Sequence, residues 1–100
     1  MGKLENKFQA DLIKELKKKY PDSIIVKNDA LYIQGIPDLT IFEGKRWATL
    51  ECKKDNKSTH RPNQDYYVDK MNGMSFSRFV SPENKEEVLN ELEVFFRRPQ

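Results

Sequence analysis

Two runs of apolar and β-branched residues, at positions 36–42 and 46–53, flank the dipeptide Glu43-Gly44. Each run has the length of a strand, and a short connection that contains glycine is typical of a hairpin. Side chains alternate between the two faces of a strand, so pairing through this turn places each residue opposite one particular residue of the other run. The sequence therefore predicts an antiparallel hairpin, around which the remaining segments must pack.

Segments with helical and extended patterns surround the hairpin. Apolar residues recur at spacings of three and four in three segments, which predicts helices over 4–20, 62–73 and 82–96. Short apolar runs at 23–27 and 75–80 predict two further strands, and 31–33 is an ambiguous extension. Ser81 is the expected N-cap of the last helix, with Pro82 after it. The predicted order is α-β-β-β-α-β-α, an α/β fold with a mixed central sheet flanked by helices.

Length and composition limit the classes of protein to consider. One hundred residues suffice for a single domain with one core, here 1–100. The net charge of +2 excludes a strongly basic, histone-like protein but permits a local basic face. One cysteine excludes an internal disulfide and a zinc site built on cysteine pairs. No apolar run is long enough to span a membrane and the first residues lack an apolar signal core, so we expect a cytoplasmic protein.

The two runs of the hairpin carry opposing carboxylates. Asp38 and Glu51 lie about equally far from the central turn, so strand pairing brings them close together, with Lys53 beside Glu51. Two like charges opposite each other destabilise a sheet unless something neutralises them. A divalent cation is the simplest neutraliser, and oxygen ligands suit Mg²⁺. The backbone carbonyl of Cys52 is a further candidate ligand, whereas the Cys52 side chain points to the opposite face and is expected in the core.

This group of residues suits the hydrolysis of a phosphodiester. Two carboxylates that hold Mg²⁺ against a phosphate let the ion polarise a phosphoryl oxygen and lower the pKa of a bound water. An adjacent lysine ammonium stabilises charge in the transition state or orients the nucleophile. The sequence thus predicts catalytic roles for Asp38, Glu51 and Lys53.

Four features of the sequence follow one another in a set order along the chain. They are Glu5 at the start of the first helix, Gly35-Ile36-Pro37-Asp38, Glu51-Cys52-Lys53, and Gln64 in the second predicted helix. Together they resemble the VRR-NUC branch of the PD-(D/E)XK nuclease superfamily, over about residues 4–82. The resemblance implies a restriction-endonuclease-like core and a Mg²⁺-dependent DNA endonuclease, with Mn²⁺ expected to substitute.

The resemblance also implies roles for individual residues. Asp38 and Glu51 would hold the metal, Glu5 would be an auxiliary metal or water ligand, and Gln64 would join the catalytic set by supporting the phosphate or the water. Small stand-alone members of the family include phage and bacterial nucleases that cut branched DNA as homodimers, so structure-selective cleavage and a homodimer are expected. Simpler alternatives stay open, because a glutamate in a first helical turn complements the helix dipole and Gln64 could be an exposed helix residue.

Basic residues concentrate in the loop that follows the second strand of the hairpin. Cations at this place can follow a phosphate backbone beside the carboxylates. The predicted DNA-binding residues are Lys53, Lys54, Lys57, His60 and Arg61. Tyr66 and Tyr67 are candidates either for packing or for stacking on a base.

The aromatic residues bear on assembly. A domain of 100 residues with a low apolar content has little core in which to bury six of the aromatic side chains. This favours a homodimer whose interface covers some of these side chains. The six are Tyr66, Tyr67, Phe76, Phe79, Phe95 and Phe96. The alternative is that the last helix folds Phe95 and Phe96 back onto the sheet.

Two other functions are compatible with the sequence. One is a catalytically silent nucleic-acid-binding module of the same fold, against which the intact set of Asp38, Glu51 and Lys53 argues. The other is a structural or assembly protein whose acidic pair is only solvated. Cleavage of DNA with and without Mg²⁺ distinguishes the first alternative from an enzyme, and metal binding distinguishes the second.

Overall fold

Within residues 2–99, which the computed structural model describes, helices and strands follow one another in the predicted order. They are α1 (Lys3–Lys19), β1 (Ile24–Lys27), β2 (Leu39–Glu43), β3 (Arg46–Cys52), α2 (Pro62–Met74), β4 (Ser77–Val80) and α3 (Lys85–Arg97). The prediction of an α/β fold with the order α-β-β-β-α-β-α is confirmed. No helix in this range is both long and apolar enough to cross a membrane.

The described strands form a mixed sheet in the order β1-β2-β3-β4. β1, β2 and β3 pair antiparallel, whereas β4 lies parallel to β3 and α2 provides the crossover that parallel pairing needs. In the central hairpin, Leu39 lies opposite Leu50 and Glu43 opposite Arg46, which confirms the predicted hairpin. The turn consists of Gly44 and Lys45, one position later than the predicted turn at Glu43-Gly44. Gly44 has φ +61°, a backbone conformation that favours glycine in a two-residue turn.

The two faces of the sheet are covered differently. Leu39, Ile41 and Leu50 point to one face, where they are buried against the apolar sides of α1 and α3. Burying one such leucine or isoleucine contributes about 1.5–3 kcal/mol to the free energy of unfolding. Thr49 points to the other face and contacts Met71 of α2 at 3.6 Å. Because Glu51 alternates with Leu50, it lies on the face of α2, away from the main core.

The last helix begins three residues later than predicted. The Ser81 N–H donates to the side-chain oxygen of Asn84 at 2.7 Å, and Asn84 Nδ2 donates to the Phe79 carbonyl at 3.1 Å. These bonds close a turn over 81–84, so the helix starts at Lys85. The prediction that Ser81 is the N-cap is therefore wrong.

Three segments predicted or considered as strand are not strand. Residues 36–38 precede β2, and the Asp38 N–H donates to the side chain of Glu51 instead of to a strand. Residues 75–76 precede β4, since the last turn of α2 extends to Met74. Residues 31–33 lie in turns. In the first and last of these segments, backbone groups are already used by side chains or by local turns, so they are not available to a strand ladder.

Candidate active site

Asp38 and Glu51 meet at the open end of the hairpin, as their spacing predicts. Since Leu39 pairs with Leu50, the next residues outward are Asp38, directly before β2, and Glu51 of β3. The Asp38 backbone N–H donates to Glu51 Oε1 at 3.2 Å, and the Cys52 backbone N–H donates to Asp38 Oδ2 at 2.9 Å. Each carboxyl group therefore accepts a backbone N–H from the opposite side of the hairpin, which holds the two groups next to each other.

Both carboxyl groups bind protons more tightly than usual. Glu51 is only 4% exposed, and burial, followed by the charge of Asp38, raises the pKa of Glu51 to about 8. Burial also raises the pKa of Asp38, although the hydrogen bond from the Cys52 N–H opposes the shift. Glu5 raises the pKa of both groups, so it is near enough to act on them electrostatically. The pair thus resists carrying two negative charges without a nearby cation.

Lys53 supplies a buried positive charge beside Glu51. Only 7% of Lys53 is exposed, and its Nζ lies 3.9 Å from Glu51 Oε2. The same Nζ donates to Gln64 Oε1 at 2.8 Å and to the Thr59 carbonyl at 3.2 Å. Gln64 Nε2 in turn donates to Glu51 Oε2 at 3.0 Å. Gln64 therefore bridges the two charged groups and is a half-buried part of the site, not an exposed helix residue.

The start of α2 positions Gln64. Pro62 occupies the first helical position, as predicted, where its missing N–H loses no helical hydrogen bond and its fixed φ suits the helix. Gln64 Oε1 accepts the Arg61 N–H at 3.1 Å in addition to the bond from Lys53. The same side chain therefore caps the helix and contacts the site, which ties the orientation of α2 to that of the charged pair.

A cavity of about 210 Å³ opens over the two carboxyl groups. Asp38 and Glu51 line it together with residues of the loop 30–36 and of the first turn of α2. Gly35, with φ +88°, joins these two walls: a Cβ at this position would lie 2.7 Å from the carbonyl carbon of Asn63. The loop and the helix thus touch at a point where no side chain fits.

We expect Gly35→Ala to push the loop away from α2. A clash with backbone and a positive φ together cost on the order of 1–3 kcal/mol, so the free energy of unfolding in urea should fall by about that amount. Gly44→Ala is the matched control, because Gly44 also has a positive φ but a Cβ there meets nothing within 4 Å. Equal losses in the two variants would show that the contact with Asn63 contributes nothing.

The metal ligands proposed from the sequence are only partly brought together. Within residues 2–99, no three His, Cys, Asp or Glu side chains gather closely enough to hold a metal ion. Asp38 and Glu51 are adjacent, but Glu5 does not complete a group of three, and its auxiliary role stays a prediction. The Cys52 side chain is buried in the core, as expected, and burial raises the pKa of its thiol. Ligation by the Cys52 carbonyl also stays a prediction.

Gln9 is a residue of this region that sequence reasoning missed. It lies one helical turn after Glu5 on α1, is buried, and forms a side-chain hydrogen bond with Cys52. Buried polar side chains are almost always hydrogen-bonded, so this contact ties α1 to β3 directly behind the acidic pair. The sequence contains a signal for a buried, hydrogen-bonded Gln9. Position 9 falls on the same helical face as Leu12 and Leu16, where an apolar residue is usual.

The predicted DNA-binding residues fall into two groups. Four of them are exposed: Lys54, Lys57, His60 and Arg61. Lys53 is buried, and its Nζ is engaged within the site. The His60 ring stacks on Phe79, with ring centroids 3.8 Å apart, and its Nδ1 lies 3.0 Å from Asp65 Oδ1. The exposed residues lie on the loop between β3 and α2 and at the rim of the cavity.

Most of the aromatic side chains that favoured a dimer are in contact with the rest of the chain. Phe76 is buried, and Phe95 and Phe96 pack from α3 against the core. Tyr66 remains largely exposed. The alternative that the last helix folds Phe95 and Phe96 back is confirmed, and the premise that these rings lack a place in the core is wrong. The homodimer stays a prediction without that support.

The raised pKa of Glu51 predicts a pH-dependent stability in the absence of divalent metal. The folded protein retains a proton on Glu51 up to a pH of about 8, whereas the unfolded chain releases it near the ordinary value of 4.5. The folded state therefore binds more protons between these two values, and its free energy of unfolding falls as the pH rises through that window. The loss should reach a few kcal/mol, since each pH unit contributes about 1.4 kcal/mol at most.

Urea unfolding in EDTA at pH 5 and pH 8.5 measures this effect. Glu51→Gln has no proton to release and should lose most of the pH dependence, while Mg²⁺ should restore stability at the higher pH. A wild-type profile that is flat between the two pH values would show that Glu51 is not perturbed.

Comparison with protein-family models, with curated proteins and with solved structures finds no match to this chain. The candidate site is therefore defined by its geometry alone. Two adjacent carboxyl groups, a buried ammonium and a bridging amide lie together at an open cavity. Such a set of groups can bind a divalent cation next to a phosphate.

Proposed function

We propose that the protein is a Mg²⁺-dependent DNA endonuclease of the PD-(D/E)XK type, similar to the VRR-NUC branch that its motifs resemble. The observation that carries the proposal is the pair of Asp38 and Glu51. Glu51 accepts the Asp38 N–H, Asp38 accepts the Cys52 N–H, and Lys53 Nζ lies 3.9 Å from Glu51. Like charges facing each other on a sheet are destabilising, so a merely structural role gives no reason to keep them at a cavity. Perturbed carboxyl groups of this kind concentrate at functional sites.

The donor set fits Mg²⁺. This ion commonly takes one or two protein carboxylates and completes its six oxygen ligands with water and substrate phosphate. Asp38 and Glu51 would hold it, and a third carboxylate is not required. When bound, the ion would supply polarisation of the scissile phosphate and activation of a water. Mn²⁺ accepts the same oxygen ligands and is expected to substitute.

Lys53 would act on the reacting phosphate and not on the ion, and Gln64 would position Lys53. A preorganised ammonium in a buried site stabilises developing negative charge more strongly than one in water. Lys53 Nζ can donate to a phosphate oxygen by exchanging one of its bonds to Gln64 or to the Thr59 carbonyl. Gln64 thus keeps the ammonium and Glu51 aligned before substrate arrives.

The rim of the cavity suits a DNA backbone. Arg61 lines the cavity, and Lys54 and Lys57 are exposed on the loop that leads to α2. Cations at these positions can contact the phosphates that flank the cleaved bond. The net charge is only +2, so the attraction is a local one at this rim.

The order of elements supports a restriction-endonuclease-like core. A first helix carries Glu5, an antiparallel hairpin carries the acidic pair, and a crossover helix with Gln64 leads to a parallel strand. The resemblance to this family also implies a homodimer that cuts branched DNA. Sedimentation equilibrium tests the assembly, because the mass in solution is that of one chain or of two.

Nicking of a supercoiled plasmid tests the proposed activity. Purified protein should convert the plasmid to open circles with Mg²⁺ or Mn²⁺, and EDTA should stop the reaction. Cleavage of linear duplex, single strand, flap and four-way junction then identifies the form of DNA that is cut. DNA binding without nicking would instead indicate a silent binding module, and calorimetry without metal binding would favour a structural protein.

A further inference from the structure

Leu31 and Tyr32 are neighbouring residues whose large side chains are almost entirely in solvent. Leu31 is 96% exposed and Tyr32 is 85% exposed, more than any other large hydrophobic residue between positions 2 and 99. Single exposed apolar side chains are ordinary on protein surfaces. Two adjacent ones at the tip of one loop, both turned fully outward, are not explained by packing within this chain.

The loop that carries them is internally bonded. The Leu31 N–H donates to Asp29 Oδ1 at 2.8 Å, and the Tyr32 N–H donates to the Asp29 carbonyl at 3.1 Å. The close approach of Gly35 to Asn63 fastens the other end of the loop to α2. The two side chains are therefore held outward by a structured turn, so that little conformational entropy would be lost when they make a contact.

The tip of the loop belongs to the rim of the candidate active site. Leu31 lines the same cavity as Asp38, Glu51 and Arg61. Leu31 and Arg61 thus lie near the two carboxyl groups at the edge of the cavity, and Tyr32 is next in sequence to Leu31. A nucleotide beside a cleaved phosphate offers the matching groups, since its phosphate attracts arginine and its base has apolar faces.

We infer that Leu31 and Tyr32 stack against or wedge beside an unstacked base next to the cleaved phosphate, and so select DNA that is branched or locally unpaired. This inference rests on the proposed nuclease function and adds to it the residues that choose the substrate. Apolar side chains inserted beside a base must first unstack it, which costs least where the base is already unpaired. Two side chains supply only a small part of the roughly 800 Å² per partner that a stable protein interface buries, which favours a base over a protein as the occupant.

The test compares single-turnover cleavage of a four-way junction and of a linear duplex with the same sequence, in Mg²⁺. Stacking on one base is worth about 1–3 kcal/mol, so Leu31→Ser/Tyr32→Ser should lower the junction-to-duplex ratio of rates about tenfold or more. Tyr32→Phe keeps the ring and should keep the ratio. Val94→Ser is the matched control, because Val94 is an exposed apolar residue on α3 that does not line this cavity.

Each outcome decides between specific explanations. If the wild-type protein cuts DNA and the double variant keeps the wild-type ratio, the inference is overturned while the nuclease assignment stands. An equal loss on both substrates also overturns it, since the loop would then be a general DNA contact. A drop in the mass measured by sedimentation would assign the pair to a protein interface instead. Failure of the wild-type protein to cut any DNA would overturn the nuclease and the inference together.

Loss of the fold is a separate question for the double variant. Substitutions at exposed positions usually change the free energy of unfolding by no more than about 0.5 kcal/mol. Circular dichroism and urea unfolding check this directly. Should the double variant fail to fold, Tyr32→Ser alone must lower the ratio for the inference to survive.

Discussion

Asp38→Asn and Glu51→Gln should each abolish Mg²⁺-dependent DNA cleavage while leaving the protein folded. Each change removes one charge from the pair but keeps the shape of the side chain and an oxygen that can accept the backbone hydrogen bond. Since these two carboxylates would hold the ion, the single-turnover rate should fall at least about 1,000-fold, equal to about 4 kcal/mol of transition-state stabilisation.

Unfolding experiments separate loss of the site from loss of the fold in these variants. In metal-free buffer above about pH 8, where folded Glu51 gives up its proton, both should unfold at the same or a higher urea concentration than the wild type, because each change removes repulsion between like charges. Asp22→Asn and Glu87→Gln are matched controls, since both side chains are exposed and lie outside the site. Wild-type cleavage by either site variant at saturating Mg²⁺ would exclude the proposed metal site.

Lys53→Met should also stop cleavage, by a different route. Methionine retains much of the apolar stem but removes the buried ammonium, so the rate should fall about 100-fold or more. Affinity for Mg²⁺ should not fall, because the positive charge of Lys53 opposes a cation and does not bind it. Lys53 also lowers the pKa of Glu51, so the variant holds the Glu51 proton to a higher pH than the wild type, and Mg²⁺ affinity must be compared by calorimetry over a series of pH values.

The control for this change is Lys45→Met. Lys45 is exposed in the turn at the opposite end of the same hairpin, so its charge is removed far from the site. Cleavage at the wild-type rate by Lys53→Met would show that the ammonium has no catalytic role. Loss of Mg²⁺ affinity together with activity would show that Lys53 supports the carboxyl groups instead of the phosphate.

The central hairpin was predictable because strand geometry has a period of two. Once the turn is located near Gly44, alternation places Asp38 beside Glu51 and turns Leu39 and Leu50 toward the core. Taken strictly, the predicted turn at Glu43-Gly44 would pair Asp38 with Thr49, two positions from Glu51. Because a shift of two positions preserves the alternation of side chains, Asp38 and Glu51 still share a face and remain close together. The adjacency of the acidic pair could therefore be predicted without a structure.

Contacts between distant segments could not be predicted in the same way. The N-cap expected at Ser81 was wrong because Asn84 binds its backbone and closes a turn, a competition that composition does not reveal. The contact of Gln9 with Cys52 depends on how α1 lies across the sheet. The aromatic residues of α3 were expected to be in excess, but the helix packs Phe95 and Phe96 against the core.

By itself, the sequence determined the order of the elements, the pairing of the hairpin and the adjacency of Asp38 and Glu51. These follow from local periodicity and turn chemistry, which act over a few residues. Only the tertiary structure decided that Gln64 joins Lys53 to Glu51, and that a loop anchored at Gly35 holds an apolar tip beside them. Such contacts depend on the relative placement of separate elements, which is set by packing of the whole chain and not by any one segment.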